Sequence, residues 1–241
     1  MGQEKVDELR ALRVPGLPRY RVVTPASDGA TEKHIYFIRH GEATHNVAPK
    51  PWGEELIDAR LTEAGVQQVE TLTSTAAELP VEVVIVSPLT RALQTAVTGL
   101  KPLLDRGVPF IVAEGCREQL GQNLPDQRRA VAAVAADFPE ADWTVMLQGP
   151  DADALFTAER EPLDVLSLRA DAFLELCMAR PEQHVAVVTH SSFLAALFNT
   201  ALYLTDEQVS TVGAWFANAE CRHLVLASMP AESALGAAQE T

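Results

Sequence analysis

Apolar positions along the chain fall into short, nearly unbroken runs separated by stretches with helical spacing. The runs HIYFIR (34–39), EVVIV (82–86), PFIVA (109–113), HVAVVT (184–189) and RHLVLA (222–227) are rich in β-branched residues and read as strands. VVIV and VAVV show no polar alternation, the pattern of strands covered on both faces. After the Leu-Thr pair at 61–62, Val69, Leu72, Ala76 and Leu79 recur at steps of three and four and mark a helix face. Further helices are predicted over about 90–104, 126–137, 162–179 and 191–203. Alternating strands and helices predict an α/β fold, a three-layer α/β/α sandwich around a mainly parallel sheet. Residues 1–32, punctuated by Pro15, Pro18, Pro25 and Gly29, read as an arm that wraps the body or frays. The span 33–228 reads as the domain, with an inserted lid at about 105–165, and 229–241 as a loose tail.

In such a sheet, ligands bind beyond the carboxyl ends of the strands. The strand exits here are polar: Arg39-His40, then SPLTRALQTA from 87, EGCREQLG from 114, and HSSF from 190. Arginine suits phosphate because its planar fork matches two oxygens and keeps its charge. Histidine supplies a nucleophile or an acid–base group near neutral pH. The combination predicts phosphoryl transfer. His40 attacks phosphorus, Arg39, Arg91 and His190 hold the equatorial oxygens, and Glu118 protonates the departing oxygen. Backbone N–H groups of the helix starting near Ser191 would add anion donors. Two arginines beside His40 would also favour its neutral form.

Composition narrows the partners. Nineteen Lys and Arg against thirty-three Asp and Glu give a net charge of −14, which argues against nucleic acid and anionic membranes. Such a surface also repels small anions, so an anion site must be built from clustered cations. Cys116, Cys177 and Cys221 are widely spaced, with no CxxC pair, so neither a disulfide framework nor a zinc site is expected. No apolar run reaches a membrane span, no secretory leader is evident, and Val6 stands where a myristoylation signal needs Ser or Thr. The expectation is a cytoplasmic protein without metal or cofactor, a monomer or homodimer, whose partner is a small phosphorylated metabolite.

RHGE after a strand, DARLTEAGVQQ (58–68), SPLTRALQTA (87–96) and VVTHSSFL (187–194) together resemble the histidine phosphatase superfamily, the phosphoglycerate-mutase-like proteins. His45-Asn46, REQLG with DQRR (117–129) and GPDADALFTAERE (149–161) resemble its plant and fungal branch. The resemblance implies a phosphorylated His40, a pocket completed by Arg39, Arg91 and His190, Glu118 as proton donor, and Asn46 as an added phosphoryl contact. That branch often carries Cys-Asp where this chain has Pro125-Asp126. The implied activity is a metal-independent phosphatase; a phosphomutase and a catalytically silent phosphate-binding protein are the alternatives.

Other residues have plainer readings beside the chemical ones. Glu118 lies four residues from Glu114, and a solvated loop would also account for it. Asn46 could cap a turn. His45, five residues after His40, lacks the spacing of a helical metal pair and reads as packing or support. His34, His184 and His223 sit within strands. Arg128, Arg129 and Arg160 could read a second anionic group on a substrate or be solvated charges. Trp52 could line the pocket mouth or pack in the core, and Cys116 reads as a packed thiol.

Overall fold

The computed structural model describes residues 2–24 and 32–229, so the tail expected over 229–241 lies almost wholly outside the described residues. The strands are β1 (Tyr20–Val22), β2 (Lys33–Arg39), β3 (Val83–Val86), β4 (Phe110–Val112), β5 (His184–Thr189), β6 (Leu202–Tyr203) and β7 (Cys221–Ser228). They form one sheet in the order β4-β3-β5-β2-β7-β1-β6. Pairings among β2, β3, β4 and β5 are parallel; β7 runs antiparallel to β2 and β1. The helices are α1 (Gly2–Ala11), α2 (Thr44–Val47), α3 (Glu63–Glu70), α4 (Leu72–Glu78), α5 (Thr90–Gly99), α6 (Lys101–Asp105), α7 (Val131–Asp137), α8 (Leu163–Ala179), α9 (Ser191–Ala196) and α10 (Asp206–Thr211).

Successive strand residues point to opposite faces, which divides the core in two. Ile35, Phe37, Val83, Ile85, Val185 and Val187 meet α1, α8 and α9 on one face. Tyr36, Ile38, Val84, Val86, Ala186 and Val188 meet α4 to α7 on the other. The expected three-layer α/β/α sandwich with a mainly parallel sheet is the observed fold. Among the described residues, no helix is long and apolar enough to cross a membrane.

The five expected strands are present; the departures lie elsewhere, and each has a local cause. The helix expected over 90–104 breaks at Leu100, because Pro102 enters the next turn without an N–H to continue the first. The helix expected over 191–203 widens into a π turn at Leu197–Ala201 and ends in β6. There Thr200 Oγ1 donates to Ala196 O and Asn199 Nδ2 to Ala195 O, side-chain bonds that compete with the backbone ladder. The helix expected over 126–137 begins only at Val131, since Arg128 and Arg129 are pinned by their side chains outside any helix. The first residues build α1 and β1: Val6 and Leu9 are fully buried, and β1 pairs with both β7 and β6. β4 lies inside the range expected for the lid, so the irregular segment over the sheet edge begins after Val112.

The DARLTEAGVQQ motif has a mechanical role in this frame. Asp58 accepts from Thr90 N at 2.7 Å and Thr90 Oγ1 at 2.5 Å, capping α5 from another part of the chain. Leu61 N donates to Gln94 Oε1, and Thr62 caps α3. Gly65 lies so close to the loop after β2 that a Cβ would stand 1.9 Å from Glu42 O. Gly65→Ala must therefore displace that loop, and is expected to lower the unfolding free energy by about 1–3 kcal/mol. Urea unfolding of the two proteins checks this; coincident midpoints would show that the loop yields without cost.

Candidate active site

The strand order β4-β3-β5-β2 puts four carboxyl-end exits side by side, and each contributes a polar residue. β2 delivers Arg39 and His40, β3 leads to Ser87 and Arg91, β4 to Glu118, and β5 to His190. Backbone bonds carry the ladder past the strand ends: His40 N donates to Thr189 O at 3.0 Å and Ser87 N to Val188 O at 3.1 Å. As a result the rings of His40 and His190 stand 5.2 Å apart between centroids.

His40 is 1% exposed. Its Nδ1 lies 2.6 Å from Gly41 O, and because a carbonyl only accepts, the proton sits on Nδ1 and the lone pair on Nε2. Arg91 Nε donates to that Nε2 at 3.3 Å. Gly41 N in turn donates to Thr95 Oγ1 on α5, tying the loop after β2 to the helix that carries Arg91. Burial holds the His40 pKa well below the ordinary imidazole value, and the charges of Arg91, His190, Arg39 and His45 push it the same way. His190 is depressed similarly, first by burial and then by Arg91. Ser87 Oγ accepts from Leu89 N at 3.4 Å and lies 2.7 Å from His190 Nε2. The Nδ1 of His190 is buried without a partner, as is the Nε–H of Arg39.

Arg91 is fully buried and held from behind: Nη1 donates to Pro125 O at 2.6 Å and Nη2 to Asp126 Oδ1 at 2.8 Å. Arg39 donates through Nη1 to Phe216 O at 2.7 Å, and burial lowers its pKa only to about 10, so it stays cationic at neutral pH. Asp126, at the Pro125-Asp126 departure from the related branch, orients Arg91 and also binds Arg160 at 2.9 Å. Neither Asp126 nor Asp58 was singled out from the sequence for the site, since both act through space on an arginine or a helix start far along the chain.

Glu118 is buried, not a solvated loop residue. Its carboxylate accepts from Gln119 N, Ser192 N and Phe193 N at 2.8 to 3.1 Å and from Ser191 Oγ at 3.3 Å. Burial favours its protonated form, but Lys5, Arg160 and these N–H groups outweigh it and hold the pKa well below the usual carboxylate range. The amides at the start of α9, expected to face phosphate, are thus bonded to this carboxylate. Lys5, from α1, belongs to the same cluster and went unnoticed in the sequence because it lies 113 positions from Glu118 in a segment read as an arm.

Several expected contacts fall elsewhere. Asn46 is exposed: Oδ1 accepts from Ala43 N at 2.9 Å and the amide nitrogen lies 3.0 Å from His45 Nε2, so it caps α2. His45 is buried with its ring 5.9 Å from that of His40, and Trp52 packs edge-on against it at 5.6 Å. Arg128 is buried and spends its guanidinium on the carbonyls of Arg129, Pro150, Asp151 and Ala152. Arg129 bridges Asp58 and Asp137, and Arg160 binds Asp126 and Gly121 O. All three arginines hold protein partners, Arg128 buried and Arg129 and Arg160 partly exposed. Cys116 is a fully buried thiol whose pKa burial pushes up, inert as expected. His34, His184 and His223 stack on the face of the sheet far from the site, with His34 Nδ1 3.0 Å from His223 Nε2. Among the described residues, no group of three or more His, Cys, Asp or Glu is placed to hold a metal ion.

Known proteins repeat this arrangement of chain. The family model of the histidine phosphatase superfamily (branch 1) matches residues 35–229. A phosphoglycerate mutase-like protein of Arabidopsis thaliana is 32% identical over 230 residues, covering 80% of this chain and 84% of its own. A probable phosphatase of Schizosaccharomyces pombe is 30% identical, covering 66% and 74%. Among solved structures, a mycobacterial glucosyl-3-phosphoglycerate phosphatase shares the fold at 23% identity and a TM-score of 0.51, over 80% of this chain and 90% of that one.

The two depressed histidines fix a pH dependence. Unfolded histidine takes a proton near pH 6.5, whereas native His40 and His190 refuse it, so the unfolded state gains protons as pH falls. Their stabilising effect is complete above about pH 6.5 and is lost below it, at a limiting slope of about 1.4 kcal/mol per pH unit for each ring. Urea midpoints measured between about pH 7 and pH 5 should fall, and His190→Asn should flatten the fall. A midpoint constant across that window would show that the folded rings accept protons.

Proposed function

The chain belongs to the histidine phosphatase superfamily, branch 1, and from that premise we propose that it hydrolyses a small phosphomonoester through a phosphohistidine on His40, with no metal ion. The coarser statement, an enzyme of the phosphatase or mutase type, follows from the family. The finer one rests on a single observation: His40 keeps an unprotonated, buried Nε2 directed at Arg91, beside a second buried arginine.

In the first step, Nε2 of His40 forms a bond to phosphorus as the ester P–O bond breaks in line behind it. Arg39, Arg91 and the Nδ1–H of His190 stabilise the charge on the equatorial oxygens, which is where a metal would otherwise serve. The departing alkoxide takes a proton from the carboxyl of Glu118. That group is ionised in the free enzyme, and the negative phosphoryl group arriving beside it raises its affinity for the proton it must give. In the second step, water attacks phosphorus, the N–P bond breaks, and the Glu118 carboxylate takes the proton from the water. The products are an alcohol and inorganic phosphate, and His40 is regenerated with its lone pair.

Phosphate release from an aryl phosphate and a panel of sugar, nucleotide and phosphoglycerate esters, with EDTA present, tests the reading. Wild type is expected to retain its rate in EDTA, and His40→Ala to lose on the order of 10³-fold or more. Absence of release from every ester would overturn the phosphatase reading, and a requirement for bisphosphoglycerate would replace it with a mutase.

A further inference from the structure

Beside the arginines of the site, a further cation stands at its edge. Lys5 reaches from α1, and its Nζ donates to Gln119 Oε1 at 2.6 Å and to Ser192 Oγ at 3.2 Å. Both acceptors are neutral and an ammonium has three N–H donors, so one donor is left over, and its charge acts on Glu118 through space and not through a direct ion pair. Gln119 follows Glu118, and Ser192 N is itself bonded to the Glu118 carboxylate, so Lys5 stands beside the group that faces the departing oxygen. The charged groups around it are Glu118, Arg160, Asp126 and Glu8, and Asp126 is shared between Arg160 and Arg91.

Anchoring of α1 does not account for this lysine. Val6 and Leu9 on the same helix are fully buried, and Arg10 donates to Asn199 Oδ1 at 2.9 Å and to Val209 O at 2.7 Å. Partly burying an ammonium as well costs free energy that the anchoring does not require. Nor can the general surface attract an anion, given a net charge of −14.

We propose that Lys5 is a specificity-determining residue that binds an anionic group, a carboxylate or a second phosphate, on the leaving part of the substrate. This deepens the phosphatase reading and rests on it. The coupling is electrostatic: when Glu118 takes up the proton it will donate, Lys5 loses its nearest negative charge, and the anion of the leaving group replaces it. A phosphomonoester with a neutral leaving group forgoes that replacement. The substrate class is therefore the doubly anionic phosphomonoester, with its second charge within a few atoms of the ester oxygen.

Binding tests this without turnover. His40→Ala protein would be titrated calorimetrically with phosphoglycolate, whose carboxylate lies next to the ester, and with ethyl phosphate, which has none. The same titrations follow for His40→Ala carrying Lys5→Gln or Lys5→Arg. The expected result is a preference for phosphoglycolate of about 10-fold or more, reduced to within about 2-fold by Lys5→Gln and largely retained by Lys5→Arg. A preference near one in His40→Ala, or one unchanged by Lys5→Gln, or equal weakening of both ligands, overturns the assignment. If wild type hydrolyses an aryl phosphate while the preference is absent, only the role of Lys5 falls. If neither compound binds, the role of Lys5 and the phosphate site fall together.

Discussion

A histidine must stay uncharged while two guanidinium groups are buried against it, and most of the structure around the site serves that requirement. Burying a cation costs several kcal/mol unless hydrogen bonds and a counter-charge offset it. Arg91 obtains both from Pro125 O and Asp126, which reach it from the irregular segment beyond β4. That segment must itself be fixed, and it is: Arg117 is fully buried between Asp153 and Glu114 and donates to Asp126 O. Arg128 and Arg129 fasten its remaining turns to one another and to Asp58. The chain of ion pairs thus runs from the rim inward and ends on the lone pair of one imidazole.

Such a chain is stiff only if each link is satisfied, and the two sides of the site differ in this respect. Around Arg91 every guanidinium nitrogen has an acceptor, whereas Arg39 keeps a buried N–H, and His190 a buried ring nitrogen, without a partner. Buried polar atoms without partners are rare and costly in folded proteins, and two of them stand beside His40. Glu118 holds the opposite position: an acceptor with four donors, kept ionised by groups that a phosphoryl oxygen would have to rival.

How much of this was legible in the sequence depends on the range of the interactions. β2, β3, β4, β5 and β7 were legible because continuous β-branched runs are a local signal, and their polar exits gave His40, Arg39, Arg91 and His190 with them. β1 and β6 are three and two residues long and exist only because they pair with each other and with β7, so no local pattern marks them. The placement of Glu118 was legible, but its bonds to the amides of a helix 73 residues further on were not. Asp58, Asp126 and Lys5 were silent for the same reason, and the partners of Arg128, Arg129 and Arg160 were hidden because they are carbonyls and carboxylates that sequence does not place. Asn46, by contrast, took the short-range role of a turn cap.

The position of β2 in the sheet has a bearing on how the protein comes into being. The nucleophile's strand is made early, yet its two neighbours, β5 and β7, lie roughly 150 and 190 residues further along the chain. On a ribosome, β2 therefore waits unpaired, with its apolar faces open, while most of the polypeptide emerges. α1, whose anchors include Asn199 and Val209, waits longer still. His40 is among the first site residues synthesised and among the last to be enclosed, so a nascent chain carries the whole loop after β2 without the charges that later surround it.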